Sequence, residues 1–276
     1  MTERMINMLG KRVLFGASGI CYLILMFYIG GWFFNLSVLI FALIGTREFY
    51  SAFLHKDFHP ITWAGYINVI IFYFQHLYYN GQYDFVYIML AVILSLSLPV
   101  FMKTTRPIDI AVTVLGFFYP GIILIFTILL KDLALPYKNY LLILTLFATF
   151  STDTFAYFVG SKFGKKKLCP SISPNKTIEG SLGGLVGSIL IVFMVGFFLN
   201  RVYNLHINEI HFFAVGLLSG SISQIGDLTA SVIKRYCGIK DYGNLLPGHG
   251  GILDRLDSLM FTAPIVYMYY LIFLTL

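Results

Sequence analysis

Nine stretches of mostly apolar residues run through this chain of 276, at 13–30, 32–54, 61–79, 84–102, 108–130, 139–160, 178–199, 210–233 and 254–275. Each is near the roughly 20 residues that an α-helix needs to cross the hydrocarbon core of a bilayer. The second and third are the weakest, because Arg47, Glu48 and His76 interrupt them. No polar segment between the stretches is long enough to be a soluble domain, so any chemistry belongs in short loops and at helix ends. Charged residues make up 12% of the chain, against about 25% in soluble domains, too few to cover a water-facing surface. A soluble enzyme, a disordered chain and a nucleic-acid-binding domain are excluded, and no nucleic-acid partner is expected. The expected fold is an all-α integral membrane protein, a polytopic bundle of about nine transmembrane helices. The 27 Phe and 19 Tyr suit lipid-facing surface and interfacial belts. Cys21, Cys169 and Cys237 form no CxxC pair, so neither a disulfide framework nor a zinc site is indicated.

Basic residues orient such a bundle. With a cytoplasmic N-terminus, sixteen of the nineteen Lys and Arg fall on the cytoplasmic side, and only Lys131, Lys138 and Arg201 fall opposite. The first span has the basic flank of a signal peptide, but Gly30-Gly31-Trp32 makes a poor cleavage site, so it reads as an anchor. Polarity divides the chain in two. Residues 1–150 hold about five spans and the start of a sixth, with no polar constellation. Residues 151–276 form the expected catalytic transmembrane region, with most of the intramembrane acids and the polar loops. No internal repeat is evident, which counts against an inverted-repeat transporter.

Asp153 and Asp227 stand inside apolar runs. Intramembrane carboxylates are costly and usually face a cavity that they serve; the alternative is an acid paired only to hold two helices. Asp227, Ser231, Lys234 and Arg235 fall at i, i+4, i+7 and i+8, one face of a helix carrying an acid, a hydroxyl and two cations. Asp153, Tyr157, Gly160 and Gly164 repeat that geometry, the glycines serving close helix approach. The expected cytoplasmic loop 161–177 carries five Lys and no acid, and Lys165–Lys167 read as a positive-inside run. Ser173-Pro174-Asn175-Lys176-Thr177 precedes a helix opening at Ile178-Glu179-Gly180, where hydroxyls and a lysine suit an anion. Gly180, Gly184 and Ser188 have the spacing of a helix-packing face, and no nucleotide-loop motif occurs.

The stretch 226–258, GDLTASVIKRYCGIKDYGNLLPGHGGILDRLDS, joins a glycine-rich loop to a helix that opens with Asp254, Arg255 and Asp257. Glycine turns and helix N-termini cradle phosphates. Two carboxylates at the same place would repel a phosphate unless a divalent cation lies between, and Mg²⁺ takes one or two carboxylates plus substrate phosphates. The pattern points to metal-bound polyphosphate at the membrane surface. His249 has no second His or Cys at metal spacing and reads as a phosphate donor or loop hydrogen-bonder.

The spacing Ser231-x-x-Lys234-Arg235-x4-Lys240-Asp241-x-Gly243-x3-Pro247-x-His249-Gly250-Gly251-x-x-Asp254-Arg255-x-Asp257 resembles the signature of the phosphatidate cytidylyltransferases. Asp153-Thr154-x-Ala156-Tyr157-x-x-Gly160 and Ser173-Pro174-x-Lys176-Thr177-x-Glu179-Gly180 resemble that family's upstream blocks. The resemblance covers about residues 150–260. It implies a homodimeric membrane enzyme that takes CTP and phosphatidic acid with Mg²⁺ and a second, monovalent cation, and faces the cytoplasm, as in a bacterial inner membrane. On it, Asp227, Asp254 and Asp257 are candidate metal ligands. Lys234, Arg235, Lys240, Asp241, His249 and Arg255 are candidate catalytic residues. Asp153, Tyr157, Ser173, Lys176, Thr177, Glu179, Ser231, Gly250 and Gly251 are candidate substrate contacts. A CTP-dependent lipid or polyisoprenol kinase is the nearer enzymatic alternative, and a cation-coupled transporter with Asp153 and Asp227 on an ion path is the alternative of another class. The DG-x2-AR pattern of CDP-alcohol phosphotransferases is absent.

Overall fold

The computed structural model describes residues 3–102, 106–134, 136, 138–245 and 250–274, with side chains from residue 16 onward. Ten α-helices are present among the described residues: α1 Glu3–Ile29, α2 Gly31–Leu54, α3 Thr62–Tyr79, α4 Asp84–Phe101, α5 Pro107–Gly116, α6 Ile125–Lys131, α7 Tyr140–Phe163, α8 Ile178–Tyr203, α9 Ile210–Tyr236 and α10 Leu253–Phe273. A π-helical turn, Phe117–Ile122, joins α5 to α6 within a single apolar run. Pro120 sits in that turn, and its missing N–H and ring explain why the regular ladder widens there. Each of the nine apolar stretches coincides with a helix or, for 108–130, with this broken one.

Among the described residues, six helical segments are long and apolar enough to cross a membrane: Gly31–Leu54, Asp84–Phe101, Pro107–Lys131, Tyr140–Phe163, Ile178–Tyr203 and Leu253–Phe273. Helix α9, whose middle carries Ser219, Ser221, Ser223, Gln224 and Asp227, is not among them. Helix α4 buries only Ala91 and Ser95 and exposes Phe85, Leu90, Ile93 and Leu94. A surface so apolar is untenable in water and suited to lipid. The chain is an all-α integral membrane protein.

Packing divides the chain into two compact units, Met1–Ile125 with Tyr236–Arg255, and Phe126–Arg235 with Leu256–Leu276. In the first unit, Tyr50 is buried in a slot that a Cβ on Gly65 or Gly116 would close, and its hydroxyl donates to the Thr113 carbonyl at 2.7 Å. In the second, α7 and α8 lie against one another along their glycines. A Cβ on Gly180 would meet the Ala156 carbonyl at 2.8 Å, and one on Gly184 the Thr152 carbonyl at 2.8 Å. Ser188, the next residue at this spacing, donates to the Gly216 carbonyl of α9 at 2.9 Å. The small-residue face of α8 therefore seats two helices.

Two expectations are corrected. The lysine segment is not plain loop: Lys167–Cys169 (β1) pairs antiparallel with Ser173–Thr177 (β2). Nor are residues 1–150 free of polar constellations. Asp109 is buried and accepts from Arg106 Nε at 2.9 Å and from the His59 N–H at 2.7 Å. His76 and Gln75 both bond the Asp84 carboxylate, at 2.7 and 2.6 Å. Arg106 stands only three residues before Asp109, but the other partners lie 8 to 50 residues apart in sequence, beyond the helical spacing by which faces are read.

Candidate functional site

In the second unit the β-hairpin delivers the chain to α8. Thr177 ends β2 in extended conformation and caps α8, its Oγ1 accepting from the Gly180 N–H at 3.1 Å. Glu179, one residue into the helix, turns its carboxylate back to the N–H groups of Lys165 (3.0 Å) and Lys166 (3.2 Å). Glu179 thus closes the base of the hairpin, while the side chains of Lys165, Lys166 and Lys167 are exposed.

The hairpin so held places Lys176 against Asp227 of α9 as an ion pair. One and two turns further along α9, Ser231 and Lys234 are buried; Arg235 is exposed and its Nε donates to the Ile172 carbonyl at 3.3 Å. Gly226, just before Asp227, has no Cβ to hold α10 away: one would stand 2.7 Å from the Asp257 carbonyl. Asp257 is buried, with Asp227, Lys234 and Asp153 in electrostatic range. Three carboxylates from α7, α9 and α10 thus share one locality with two lysines. Tyr157 lies exposed one turn beyond Asp153, and Ser173 is half-buried at the start of β2.

In the first unit lies the glycine-rich loop. Gly250 has φ +82°, a left-handed conformation suited to glycine. Asp254 Oδ2 accepts from the N–H groups of Tyr242 at 2.8 Å and Gly251 at 3.0 Å, drawing the two ends of the loop together. Lys240, Asp241 and Arg255 are exposed. His249 lies outside the described residues.

Sequence reasoning missed Glu48, treating it as a flaw in the second span. Glu48 is buried on α2, and its two carboxylate oxygens accept from the N–H groups of Ile252 (3.0 Å) and Leu253 (2.8 Å) at the start of α10. The available signal was the cost of burying an unpaired carboxylate, but nothing nearby in sequence names its partner.

The donor set suits a hard cation. Among the described residues, no three His, Cys, Asp or Glu side chains stand together as a ligand cage. Mg²⁺ does not require one, since it binds through one or two carboxylates and fills its sphere with water and phosphate. Asp227 and the buried Asp257 offer two such carboxylates in one unit. Asp254 has one oxygen committed to the N–H groups of Tyr242 and Gly251, as Asp257 has one committed to the Ser258 N–H at 2.7 Å.

A model of the cytidylyltransferase family matches residues 10–273. A phosphatidate cytidylyltransferase of Synechocystis sp. is 30% identical over 96% of this chain and 97% of its own length. One of Bacillus subtilis is 39% identical over 65% of each chain, and one of Staphylococcus epidermidis is 49% identical over 42% of this chain and 43% of its own. Matched over most of its length, the chain belongs to the cytidylyltransferase family, as a membrane nucleotidyltransferase of the phosphatidate cytidylyltransferase kind.

Proposed function

We propose that this chain transfers CMP from CTP to phosphatidic acid, giving CDP-diacylglycerol and pyrophosphate, at the cytoplasmic face of a bacterial inner membrane. The observation that carries the reading is the gathering of Asp153, Asp227 and Asp257 with Lys176 and Lys234. Acids and bases so placed suit a polyphosphate with a divalent cation better than either alone. Relatives bearing the phosphatidate cytidylyltransferase name support the choice of substrates.

In the reaction, an oxygen of the lipid phosphate forms a bond to the α-phosphorus of CTP. The bond from that phosphorus to the β-phosphate oxygen breaks, and pyrophosphate leaves with the electron pair. The attacking oxygen is already anionic near neutral pH, so no general base is required. The barrier is the approach of two anions and the growth of charge on the leaving group. Lys176 and Lys234 offset that charge, and Arg235 adds a fork that can bind phosphate in two places. Asp227 and Asp257 would hold Mg²⁺, which when bound neutralises phosphate charge. Gly250 and Gly251 of the glycine loop take the substrate-binding part that the resemblance assigns them, and Asp254 the metal-ligand part that it assigns to that residue. We also propose the homodimer that the resemblance implies, to be tested by crosslinking in native membranes.

The test is purified protein in detergent with phosphatidic acid and CTP labelled at either the α- or the γ-phosphate, with and without Mg²⁺. Lipid that takes up α-label, with γ-label released as pyrophosphate, supports the proposal. Lipid that takes up γ-label makes the protein a kinase and overturns it, and cation flux into liposomes without CTP turnover makes it a transporter.

A further inference from the structure

Helix α2 is far in sequence from every motif that carries the resemblance, yet it supplies the floor of the glycine-rich loop. Glu48 receives two successive backbone N–H groups, from Ile252 and Leu253, one on each oxygen. Leu253 opens α10 and Ile252 stands just before it, where N–H groups lack intrahelical partners and the helix dipole favours a negative group. The same carboxylate is walled in by glycine. A Cβ on Gly243 would stand 2.6 Å from Glu48 Oε1, and one on Gly251 would collide with both oxygens. Gly243 and Gly251 therefore have a reason to be glycine that does not involve substrate: they admit Glu48.

The next residue of α10 is Asp254, which binds the Tyr242 and Gly251 N–H groups of the loop. Two carboxylates thus hold the described ends of the loop. One comes from the loop's own helix, and the other, Glu48, from a helix 204 residues upstream of Ile252.

We infer that Glu48 is a positioning residue for the reaction. It fixes the glycine loop and the first turn of α10 in the conformation that receives the nucleotide. It touches no reacting atom and acts through the backbone of residues 251–253. This rests on the proposed cytidylyl transfer and on the loop's part in binding CTP.

Two variants separate positioning from mere support. Glu48→Gln keeps the shape but turns one acceptor into an NH₂ group facing an N–H donor. Glu48→Asp keeps both acceptors on a shorter stem. For Glu48→Gln, kcat/KM for CTP is expected to fall at least about tenfold through KM, while KM for phosphatidic acid stays within about twofold. Gly251→Ala should do the same. Adding Glu48→Asp to Gly251→Ala should recover activity, because the shorter acid vacates the space that the methyl needs. Glu48→Gln that lowers only the melting temperature, or shifts both substrates' KM equally, overturns the inference. So does a double variant no better than Gly251→Ala alone.

Hydrogen exchange of peptides covering residues 241–254 in the intact protein gives a second readout that needs no turnover. Exchange faster in Glu48→Gln than in wild type at this loop, and unchanged in α8, shows that Glu48 holds the loop even if wild type fails to transfer CMP. In that case the proposed reaction fails and the positioning of the loop stands. Unchanged exchange at the loop overturns the positioning itself.

Discussion

Gly226→Ala tests whether the packing of α9 on α10 sets the geometry of the acid cluster. The added Cβ would lie 2.7 Å from the Asp257 carbonyl oxygen and 3.0 Å from Cβ and Cδ2 of Phe261. A carbon and a carbonyl oxygen rest no closer than about 3.3 Å. The two backbones must therefore part by about 0.6 Å at this point. That oxygen belongs to a helix backbone and cannot swing aside as a side-chain tip would. The displacement falls between the residue before Asp227 and Asp257 itself. Overpacking of this kind costs about 1–3 kcal/mol of stability. A misplacement of 1 Å in a catalytic constellation can cost about a hundredfold in rate. Scaled to 0.6 Å on a logarithmic axis, the expected loss is about fifteenfold.

The assay is steady-state CMP transfer in detergent, with folded protein quantified by size exclusion and thermal unfolding. Gly19→Ala is the control, since a Cβ at Gly19 meets nothing within 4 Å. A Gly226→Ala protein that folds normally and keeps kcat/KM within about twofold of wild type would refute the reasoning. It would mean that Asp227 and Asp257 need not be held at a fixed separation.

Asp227→Asn and Asp257→Asn should each lower kcat at least about a hundredfold, or 2.7 kcal/mol, and raise the Mg²⁺ concentration for half-maximal rate; near-normal turnover at saturating Mg²⁺ would remove that residue from the metal assignment. Lys234→Ala or Arg235→Lys should lower kcat/KM at least about tenfold, whereas Lys166→Ala, whose side chain is exposed, should change it less than about threefold; the reverse order would move the anion site to the hairpin. Burial pushes the Cys237 thiol above its ordinary value, with Lys56 only partly offsetting it, and the reactive form is the thiolate, which gains as pH rises. At pH 8 Cys237 should therefore alkylate at least about fivefold more slowly than the partly exposed Cys169, with the gap closing as pH rises, as read by mass spectrometry of the intact protein.

What could be read from sequence was whatever repeats at helical spacing. Apolar runs located the helices, because a spanning helix leaves a signature about 20 residues long. Gly180, Gly184 and Ser188 were legible as a packing face, and Thr177 as a cap, because both follow from neighbours three or four residues away. The hairpin at 167–177 was not legible. Its strands are three and five residues long, lysine-rich and interrupted by proline, and part of what holds it is Glu179 reaching back to backbone N–H groups. The π-helical turn was hidden in the same way, since Phe117–Ile122 is as apolar as the helices it joins.

Glu48 and Asp227 show where that reading stops. Both are carboxylates on apolar helices, and the same argument applies to each: a buried charge needs a partner. Asp227 advertises company, since Ser231 and Lys234 follow it on one helical face. Glu48 has no such companions, and its partners are two backbone N–H groups more than 200 residues away. A helix N-terminus is an acceptor's partner that carries no side-chain signature, so the sequence could state that Glu48 required a donor but could not name it. The glycines did carry the missing half of the signal. Gly243 and Gly251 sit in a loop whose glycine content was read wholly as room for phosphate, and part of that room is taken by Glu48. A glycine-rich loop beside an unexplained intramembrane acid therefore supports two readings, phosphate cradle and acid socket, and here one loop carries the geometry of the second on the side that faces α2.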